Sequence, residues 1–494
     1  MKNLNFRVFC LALICAAMAT VLASCGDNAQ KSDDLDNAQQ NQDGGDPAEA
    51  EAEAPAEPEK IFPHETLDFG GYVFRLITAE DQNGNGLYYE DFEIEEAIGD
   101  VYNDALYERR LALEDNFNVK FSSINKGDIS GDVKKTVNAG TDEYDLVLPR
   151  LNSAWNLITY CADLLALQNL SLGESWYDQN CIENLSVAKK LYTITGDAFT
   201  KHYDGIMLLI FNKQILQEHG LSSPYPIVSG GKWTLDAMGE MVKAVTKDVN
   251  GDGILDKDDM WGYAQQGDIV GAVINGAELK YMYKNADDIP YTMANTERMN
   301  MAIDKFLDFF RDYSWDTTRD ANNAHLSAFW LFPEGRALFN GIMLHYIQWQ
   351  LRGVEHDFGI IPIPKLDEAQ SRYYTSTNAY HTYCYMMPKT VSDPERTAYI
   401  FDAMGFYGEK IIKPAYYDMC LTRKYTRDEE SNEMLDIIFK STVYDLGLYA
   451  DFGNISGTVQ NLILKGENTY SSSYEKIEPK VISAIEKFVA SIED

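Results

Sequence analysis

The sequence lacks most of the short motifs that identify a catalytic or metal site. Its 494 residues contain no Cys-x-x-Cys pair, so neither a dithiol redox centre nor a structural zinc site is indicated. No two histidines have the spacing of zinc proteases, and no Gly-x-Ser-x-Gly or Gly-x-x-x-x-Gly-Lys-Ser/Thr segment occurs. There is also no internal repeat of solenoid period. Function must therefore be sought in binding sites or in dispersed carboxylates.

Positive charge is scarce as well. Lys and Arg number 42 against 77 Asp and Glu, which gives a formal net charge of −35. Too few basic side chains are available to neutralise phosphates, so a nucleic-acid partner is not expected. Aromatic residues, by contrast, make up 12% of the chain and include 31 tyrosines. They are enough for a well-packed core and for a binding site built on ring stacking.

The first 25 residues read as a targeting segment. A short basic start leads into the apolar run Val8–Leu22 and then Leu22-Ala-Ser-Cys25. The run is too short and wrongly flanked for a spanning helix of the mature protein. The last four residues resemble the lipobox of bacterial lipoproteins, which implies that Cys25 carries acyl chains that anchor the protein to the membrane. A plain secretory signal with an incidental cysteine is the alternative.

Residues 26–66 are predicted to form a disordered acidic linker. Up to Lys60 they are mostly Asp, Glu, Ala, Gln, Asn and Pro, with almost no large apolar side chain. Such a segment cannot bury enough apolar surface to offset its ordering entropy. Repulsion between like charges extends it, so it should hold the folded part away from the membrane. An acidic docking tail is the alternative.

Four cysteines follow the linker, namely Cys161, Cys181, Cys384 and Cys420. An exported protein can form disulfides, and Cys161–Cys181 is the pair that is close in sequence. Buried free thiols are the other interpretation. The sequence leaves both open.

Alternating strand and helix patterns begin near Leu67. The patterns predict strands at Gly71–Thr78, Val119–Phe121 and Tyr144–Pro149, with helices at Gly99–Asn118 and Val133–Ala139 between them. This order predicts an α/β fold with a parallel sheet. Ligands of such sheets lie beyond the carboxyl ends of the strands, where the loop 79–86 and the segment after Pro149 fall.

The length of the chain indicates two or more lobes. Ile206–Lys213 is an uninterrupted apolar run, suited to a strand that is buried on both faces. A second α/β segment follows it. This segment is predicted to contain helices near 235–245, 301–310, 434–440 and 477–492 and a short strand at Phe358–Pro364.

One loop has the pattern of a calcium site. Asp248, Asn250, Asp252, Asp256 and Asp259 occupy positions one, three, five, nine and twelve of an EF-hand-type loop, with the Ile254 carbonyl at position seven and Gly253 at the sharp turn. Asp259 replaces the usual bidentate Glu, and its shorter side chain predicts a weaker or structural site. Trp233 and Trp261 flank the loop and are predicted to be structural. A solvated Asp/Asn/Gly turn is the alternative.

Seven segments together carry a family resemblance. They are Leu209–Lys213, Gly231–Asp236, Asp248–Asp259 with Gly262, Phe332–Phe339, Asp357–Lys365, Pro388–Glu395 and Pro414–Tyr417. Their order and spacing resemble the extracellular solute-binding proteins of family 1, the lipoprotein receptors of ABC importers, especially those of gut Firmicutes. The resemblance covers the chain from about residue 67 to the end.

The resemblance implies a periplasmic-binding-protein-like fold of type II, with two α/β lobes joined by a hinge and a ligand cleft between them. Lobe 1 is expected to comprise 67–200 plus 360–412, and lobe 2 to comprise 201–359 plus 413–494, including the calcium-type loop. Crossings between lobes are expected near 196–203, 358–364 and 411–416. Closure around the ligand would be a population shift that the permease recognises.

Position along this fold, together with the needs of a sugar ligand, selects candidate binding residues. Sugar rings present apolar faces and many hydroxyls, so aromatic platforms and polar edge groups are expected. The candidates are Asp81, Trp155, Tyr203, Asp204, His345, Tyr346, Trp349, Tyr380 and Tyr383. Ordinary core packing is the alternative for each aromatic side chain.

The resulting expectation is a non-enzymatic, lipid-anchored substrate-binding protein of an ABC importer. It would bind an extracellular solute, expected to be a carbohydrate or oligosaccharide, and deliver it to permease subunits, with calcium as a structural ion. The family also contains receptors for other solutes. A secreted carbohydrate-active enzyme, with two of the many carboxylates acting across a cleft, is one alternative. A surface or sensor binding protein that does not take part in import is another.

Overall fold

The computed structural model describes residues 60–80, 92, 94–292, 296–316, 330–351, 353–422, 429–450 and 452–493. Residues 61–494 form one compact unit. The predicted signal segment with Cys25, the linker up to residue 59 and the candidate Asp81 lie outside the described residues. Within the described ranges, no helix combines the length and the apolar character needed to cross a membrane.

The strands are short and spread along the whole chain. They are Tyr72–Ala79 (β1), Val119–Lys126 (β2), Leu146–Leu148 (β3), Met207–Asn212 (β4), Trp261–Gln265 (β5), Tyr283–Lys284 (β6), Pro290–Tyr291 (β7), Ser314–Asp316 (β8), Ala337–Met343 (β9), Phe358–Ile361 (β10), Thr375–Ser376 (β11) and Thr442–Val443 (β12).

Helices separate and flank these strands. They are Val101–Phe117 (α1), Ser130–Ala139 (α2), Leu151–Ala154 (α3), Gln179–Leu185 (α4), Lys213–Glu218 (α5), Pro224–Ser229 (α6), Leu235–Val245 (α7), Ile269–Gly276 (α8), Glu297–Tyr313 (α9), Leu344–Gln350 (α10), Pro394–Tyr407 (α11), Lys413–Thr422 (α12), Glu429–Lys440 (α13), Leu446–Tyr449 (α14), Ile455–Lys465 (α15) and Tyr470–Glu493 (α16).

The first sheet is the parallel sheet that the sequence predicted. Its order is β2-β1-β3, and both neighbours run parallel to β1. Phe74 and Leu76 of β1 pack into one core cluster, whereas Ile77 and Ala79 pack into another, as alternating side chains of a sheet covered on both faces should.

The second sheet is mixed, so the parallel prediction does not extend to it. Its order is β10-β4-β9-β5-β8, and β4 alone runs against its neighbours. The direction of β4 follows from the edge of the sheet at which this strand begins. The N–H of Leu344, just beyond the carboxyl end of β9, donates to the carbonyl of Ile206, so β4 starts at the edge where the other strands end. All six residues of β4 are buried, which confirms the predicted doubly covered strand.

Helix boundaries follow local capping. The Asp100 side chain accepts hydrogen bonds from the N–H groups of Tyr102 and Asn103 and starts α1, which ends at Asn118 in the left-handed region with φ 49°. The side chain of Thr234 accepts a hydrogen bond from the N–H of Ala237 at 3.2 Å and starts α7. Side-chain hydrogen bonds therefore set both helix starts.

The stretch 375–387 connects the two sheets. β11 pairs with β12, Thr377 bridges to Ile206 beside the second sheet, and Met386 bridges to Val147 in the first sheet. Between them, the N–H of Leu151 donates to the carbonyl of Thr382 at 2.8 Å. This connection brings the carboxyl ends of strands from both sheets to the same place. The residue ranges assigned to the two lobes remain a prediction.

The cysteines with described side chains are Cys161, Cys181 and Cys384, and all three are free and buried. The Cys161–Cys181 disulfide, one of the two interpretations of the sequence, is therefore not formed. Burial raises the pKa of the Cys384 thiol to about 12, so at neutral pH it is a small apolar group and not a nucleophile.

Candidate functional site

A cavity of about 400 Å³ lies at the carboxyl ends of β3 and β5 and beside the start of β4. Its described lining comes from α3, α8, α14, α15 and the stretch after β11. The lining residues are Asn152, Met207, Gly267, Asp268, Val270, Gly271, Tyr281, Ser376, Thr377, Asn378, Ala379, Tyr380, Leu448, Tyr449, Asn454, Ser456, Gly457 and Gln460. We call it the main cavity.

Asn378 fixes the shape of one wall of the main cavity. Its backbone N–H donates to the carbonyl of Gly205 at 2.7 Å, and its side-chain Oδ1 accepts from the N–H of Tyr380 at 2.9 Å. Its Nδ2 donates to Asp268 Oδ2 at 2.9 Å. One amide thus joins the connecting stretch to the loop after β5, and it holds Tyr380 at the rim.

Two other polar groups of the lining lack such partners. Asn152 Oδ1 and the hydroxyl of Tyr281 are buried, and neither has a hydrogen-bond partner among the described residues. A buried polar group left in this state costs roughly 1–3 kcal/mol. A bound ligand with hydroxyl groups would recover that free energy at both points.

The lining of the main cavity contains few charged groups. Asp268 is the one acidic side chain of the described lining, and that lining contains no Lys, Arg or His. Tyr380 is 60% exposed, which is unusual for a tyrosine in a cavity wall and makes its ring available for stacking. The remaining polar groups are amides and hydroxyls, so the cavity suits an uncharged polar molecule.

Of the predicted ligand residues whose side chains the structure describes, Tyr380 alone lines the main cavity. Trp155 ends α3, and its ring packs edge-on against Phe488 with centroids 5.9 Å apart. Its indole Nε1 is buried without a hydrogen-bond partner among the described residues. Trp155 thus lies about one helical turn from Asn152 and packs, partly buried, against Phe488 of α16.

His345, Tyr346 and Tyr383 are buried beside the connecting stretch. The rings of His345 and His381 stack with centroids 5.8 Å apart, and Tyr346 lies 6.2 Å from His381. Tyr383 forms a backbone bridge with Arg150. The structure therefore brings His345 and Tyr346 together around His381, and none of the three candidates lines the main cavity. The side chain of Trp349 lies outside the described residues.

Tyr203 and Asp204 are placed elsewhere, in a buried polar network. The Tyr203 hydroxyl donates to Asp197 Oδ1 at 2.9 Å, and Lys413 Nζ donates to Asp197 Oδ2 at 2.8 Å. Asp204 accepts from the Tyr416 hydroxyl at 2.7 Å and from Lys201 Nζ at 3.1 Å. Burial raises the pKa of Asp197.

This network, defined by those six residues, ties the segment before β4 to α12. Its neighbour His202 is also buried, and burial lowers its pKa to about 4, so it is neutral at pH 7. A short π-helix, Gly408–Ile412, leads into α12. A Cβ built at Gly408 would overlap the carbonyl oxygen of Asp197, so the close approach of the two segments requires glycine there.

Sequence reasoning did not select Asn152, Asp268, Asn378 or Gln460. Each is a single amide or carboxylate, three of them in a loop or a short helix and Gln460 within α15, and no pattern of spacing marks it. One signal was available. The rule that ligands lie beyond the carboxyl ends of strands pointed to the segment after Pro149, where Asn152 lies, and the same rule applied to β5 would have pointed to Asp268.

The calcium-type loop has the backbone of such a loop but not converged ligands. Gly253 has φ 80°, as its turn position requires. Asp248 accepts from the N–H groups of Gly251 and Gly253, and Asp259 accepts from those of Val249 and Asp256, both at 2.9 Å. The last two bonds hold the pKa of Asp259 below its ordinary value. Among the described residues, no group of three or more His, Cys, Asp or Glu is placed to hold a metal ion.

Comparison with known proteins places the fold. No protein-family model and no curated protein matches the chain. Solved structures do match. An ABC substrate-binding protein from Listeria monocytogenes in complex with cycloalternan is 13% identical, with a TM-score of 0.52, over 84% of this chain and 99% of that one.

Two further structures match in the same way. A cyclo/maltodextrin-binding protein complexed with maltotetraose has a TM-score of 0.54 at 12% identity, over 84% of this chain and 96% of that one. The galacto-N-biose/lacto-N-biose I-binding protein of the ABC transporter from Bifidobacterium longum has a TM-score of 0.54 at 11% identity, over 85% and 98%. At such identities the likeness establishes the fold alone. The chain therefore has the two-lobed α/β fold of ABC-transporter sugar-binding proteins, and the expected fold class is confirmed.

Proposed function

We propose that this protein is the substrate-binding lipoprotein of an ABC importer and that the main cavity binds a carbohydrate for delivery to a membrane permease. The observation that carries the proposal is the lining of this cavity. It offers amides, hydroxyls and the exposed ring of Tyr380, with Asp268 as its one acidic residue and no basic residue among those described. Such a lining matches the hydroxyls and apolar ring faces of an uncharged sugar.

The size of the cavity and the similar structures support a short oligosaccharide. About 400 Å³ lies within the range of roughly 300–1,000 Å³ typical of small-molecule sites. The similar proteins were solved with cycloalternan, maltotetraose and lacto-N-biose. These ligands belong to those proteins, and they define the first set of candidates here.

A ligand screen tests the proposal. We expect at least one neutral oligosaccharide to raise the melting temperature, because a ligand at about 100 times its Kd stabilises the folded state by about 2.7 kcal/mol. The sugar should then be recovered intact by chromatography. A melting shift given only by charged solutes would contradict the proposal.

The alternative of a carbohydrate-active enzyme requires two carboxylates that face the scissile bond. Asp268 supplies one, and the described lining supplies no second. We therefore expect no cleavage. Formation of product by the wild-type protein, and its loss in Asp268→Asn, would favour the enzyme. Measuring sugar uptake in cells that lack the protein separates import from a purely sensory role. Loss of uptake would support import, whereas unchanged uptake would support a sensory role.

The proposal includes lipid anchoring through Cys25, with residues 26–66 as a spacer. Its support is the lipobox-like Leu22-Ala-Ser-Cys25 segment. Cells grown with a labelled fatty acid should incorporate the label into the wild-type protein and not into Cys25→Ala. Label that persists in Cys25→Ala would count against the anchor.

The proposal also includes a structural calcium ion in the loop Asp248–Asp259. The loop supplies carboxylate, amide and carbonyl oxygens, which calcium prefers, and binding would draw the carboxylates together. Isothermal titration should give heat for the wild type and for Asp258→Ala, whose carboxylate is exposed and outside the ligand positions. It should give none for Asp252→Ala. Equal heats for Asp252→Ala and the wild type would refute the site.

A further inference from the structure

A second cavity lies beside Val443 of β12, whereas the main cavity lies beside Ser376 of β11. It consists of two adjoining spaces of about 250 and 370 Å³, both lined by Glu183, Asn184, Lys280 and Tyr283. No described residue lines both this second cavity and the main one. Its walls are α4 on one side and the end of α8 with the segment that follows on the other.

One wall of the second cavity contains a buried hydrogen-bond acceptor to which no described group donates. Asn275, on α8, is 1% exposed and lines the smaller space. Its Nδ2 donates to the carbonyl of Leu279 at 2.9 Å and to Asp445 Oδ2 at 3.3 Å, so the orientation of the amide is fixed. Its Oδ1 has no hydrogen-bond partner among the described residues. An O–H or N–H group from a ligand would satisfy it.

The same space has two basic side chains. The Lys280 ammonium is partly buried and donates to the neutral amide oxygen of Asn184. Arg372 lies with its guanidinium carbon 4.6 Å from the centre of the Tyr374 ring. Burial lowers the pKa of Lys280 below its ordinary value, because an ammonium loses hydration when it is buried.

The acidic groups nearby are already engaged or exposed. Glu278 accepts from the Tyr374 hydroxyl at 3.0 Å, and Glu183 faces solvent. Asp445 is fully buried behind the wall, where it accepts from the N–H groups of Tyr281 at 2.7 Å and Gly447 at 2.9 Å. A carboxylate of a ligand would be a stronger partner for the Lys280 ammonium than the neutral amide oxygen of Asn184.

We propose that the second cavity binds a small monocarboxylate that carries hydroxyl groups, with its carboxylate between Lys280 and Arg372 and a hydroxyl that donates to Asn275 Oδ1. This site is independent of the solute in the main cavity. Because its walls come from two separate segments, its occupant would hold α4 against the end of α8.

Isothermal titration with D-gluconate and D-sorbitol tests the proposal, since the two molecules differ only in a carboxylate against a hydroxymethyl group. Gluconate should bind the wild type, and sorbitol should give no heat at the same concentration. Lys280→Gln and Arg372→Gln should each weaken gluconate binding about tenfold or more, as expected for a lost charge-assisted hydrogen bond. Arg372 is exposed, so its variant remains informative if Lys280→Gln fails to fold.

Tyr380→Ala, which alters the main cavity, should leave gluconate binding unchanged. Absence of heat from gluconate with the wild type, or equal binding of sorbitol, would overturn the proposal. So would gluconate binding that is lost in Tyr380→Ala and kept in Lys280→Gln, because gluconate would then occupy the main cavity.

Discussion

The main cavity and the Asp197–Asp204 network both concentrate polar side chains, but their hydrogen bonding differs. In the network, Asp204 accepts from Tyr416 and Lys201. In the cavity, Asn152 Oδ1 and the Tyr281 hydroxyl are buried without a partner among the described residues. Satisfied groups hold the chain together, whereas unsatisfied ones are tolerated where a ligand completes them. The two polar clusters therefore differ in how far the chain itself satisfies their hydrogen-bonding groups.

Removing a carboxylate from the network should have the largest effect. Asp204→Ala leaves the Lys201 ammonium buried without that partner, and breaking a buried ion pair costs about 3–5 kcal/mol. The free energy of unfolding, measured by urea titration, should fall by about that much. Asp258→Ala, an exposed carboxylate, is the control. A loss below about 1 kcal/mol would show that the network is not structural.

His202, the buried neighbour of the network, should make stability depend on pH. The pKa of His202 is about 4 in the folded protein and 6.5 in the unfolded chain. Below pH 6.5 the unfolded chain therefore binds a proton that the folded protein does not bind. Stability is therefore lost as pH falls from 6.5 to 4, by up to about 3 kcal/mol. His202→Gln should lose less stability than the wild type over this interval in urea titrations. Equal losses would show that His202 is not buried as neutral imidazole.

A substitution in the main cavity should affect ligand affinity and leave stability almost unchanged, unlike the substitution of Asp204 in the network. Asn152→Ala removes an unpartnered acceptor, so stability should stay the same or rise by up to about 1 kcal/mol. Affinity for the bound sugar should fall by about 1–3 kcal/mol in isothermal titration, because the ligand loses the acceptor. Asn156→Ala, at an exposed position of the same segment, should change neither. A destabilised Asn152→Ala with unchanged affinity would break the comparison.

The smallest expected effect is at Tyr380. Ring stacking is worth about 0.5–1.5 kcal/mol, so Tyr380→Ala should weaken sugar binding up to about tenfold. Tyr380→Phe keeps the ring and should retain most of the affinity. The melting temperature of the unliganded protein should hardly change, since the side chain is 60% exposed. Loss of affinity in Tyr380→Phe equal to that in Tyr380→Ala would assign the contribution to the hydroxyl instead.

The sequence alone was sufficient to predict the strands whose residue pattern is local. Strand β1 was predicted at Gly71–Thr78 and lies at Tyr72–Ala79, and β4 was predicted as a doubly buried strand and is one. The reversed direction of β4 could not be predicted, because it depends on the contact between Ile206 and Leu344, which are far apart in sequence.

The site was predictable in its position but not in most of its residues. Tyr380 was selected because an aromatic residue after the return strand suits a sugar, and it lines the main cavity. Tyr203 and Asp204 are chemically as suitable for a sugar as Tyr380. In the structure, however, Tyr203 donates to Asp197, and Asp204 accepts from Lys201 and Tyr416. Residue type does not reveal whether a polar group has already found a partner within the chain.

The glycine at position 408 has a consequence for how the sequence can vary. Because any side chain there would collide with the Asp197 carbonyl, a library of random variants selected for solute binding should keep glycine at 408 almost without exception. Lys410, two residues along the same π-helix and exposed, should accept most replacements. Sequencing such a library would map the point where the π-helix passes against the segment before β4, with no further structure determination.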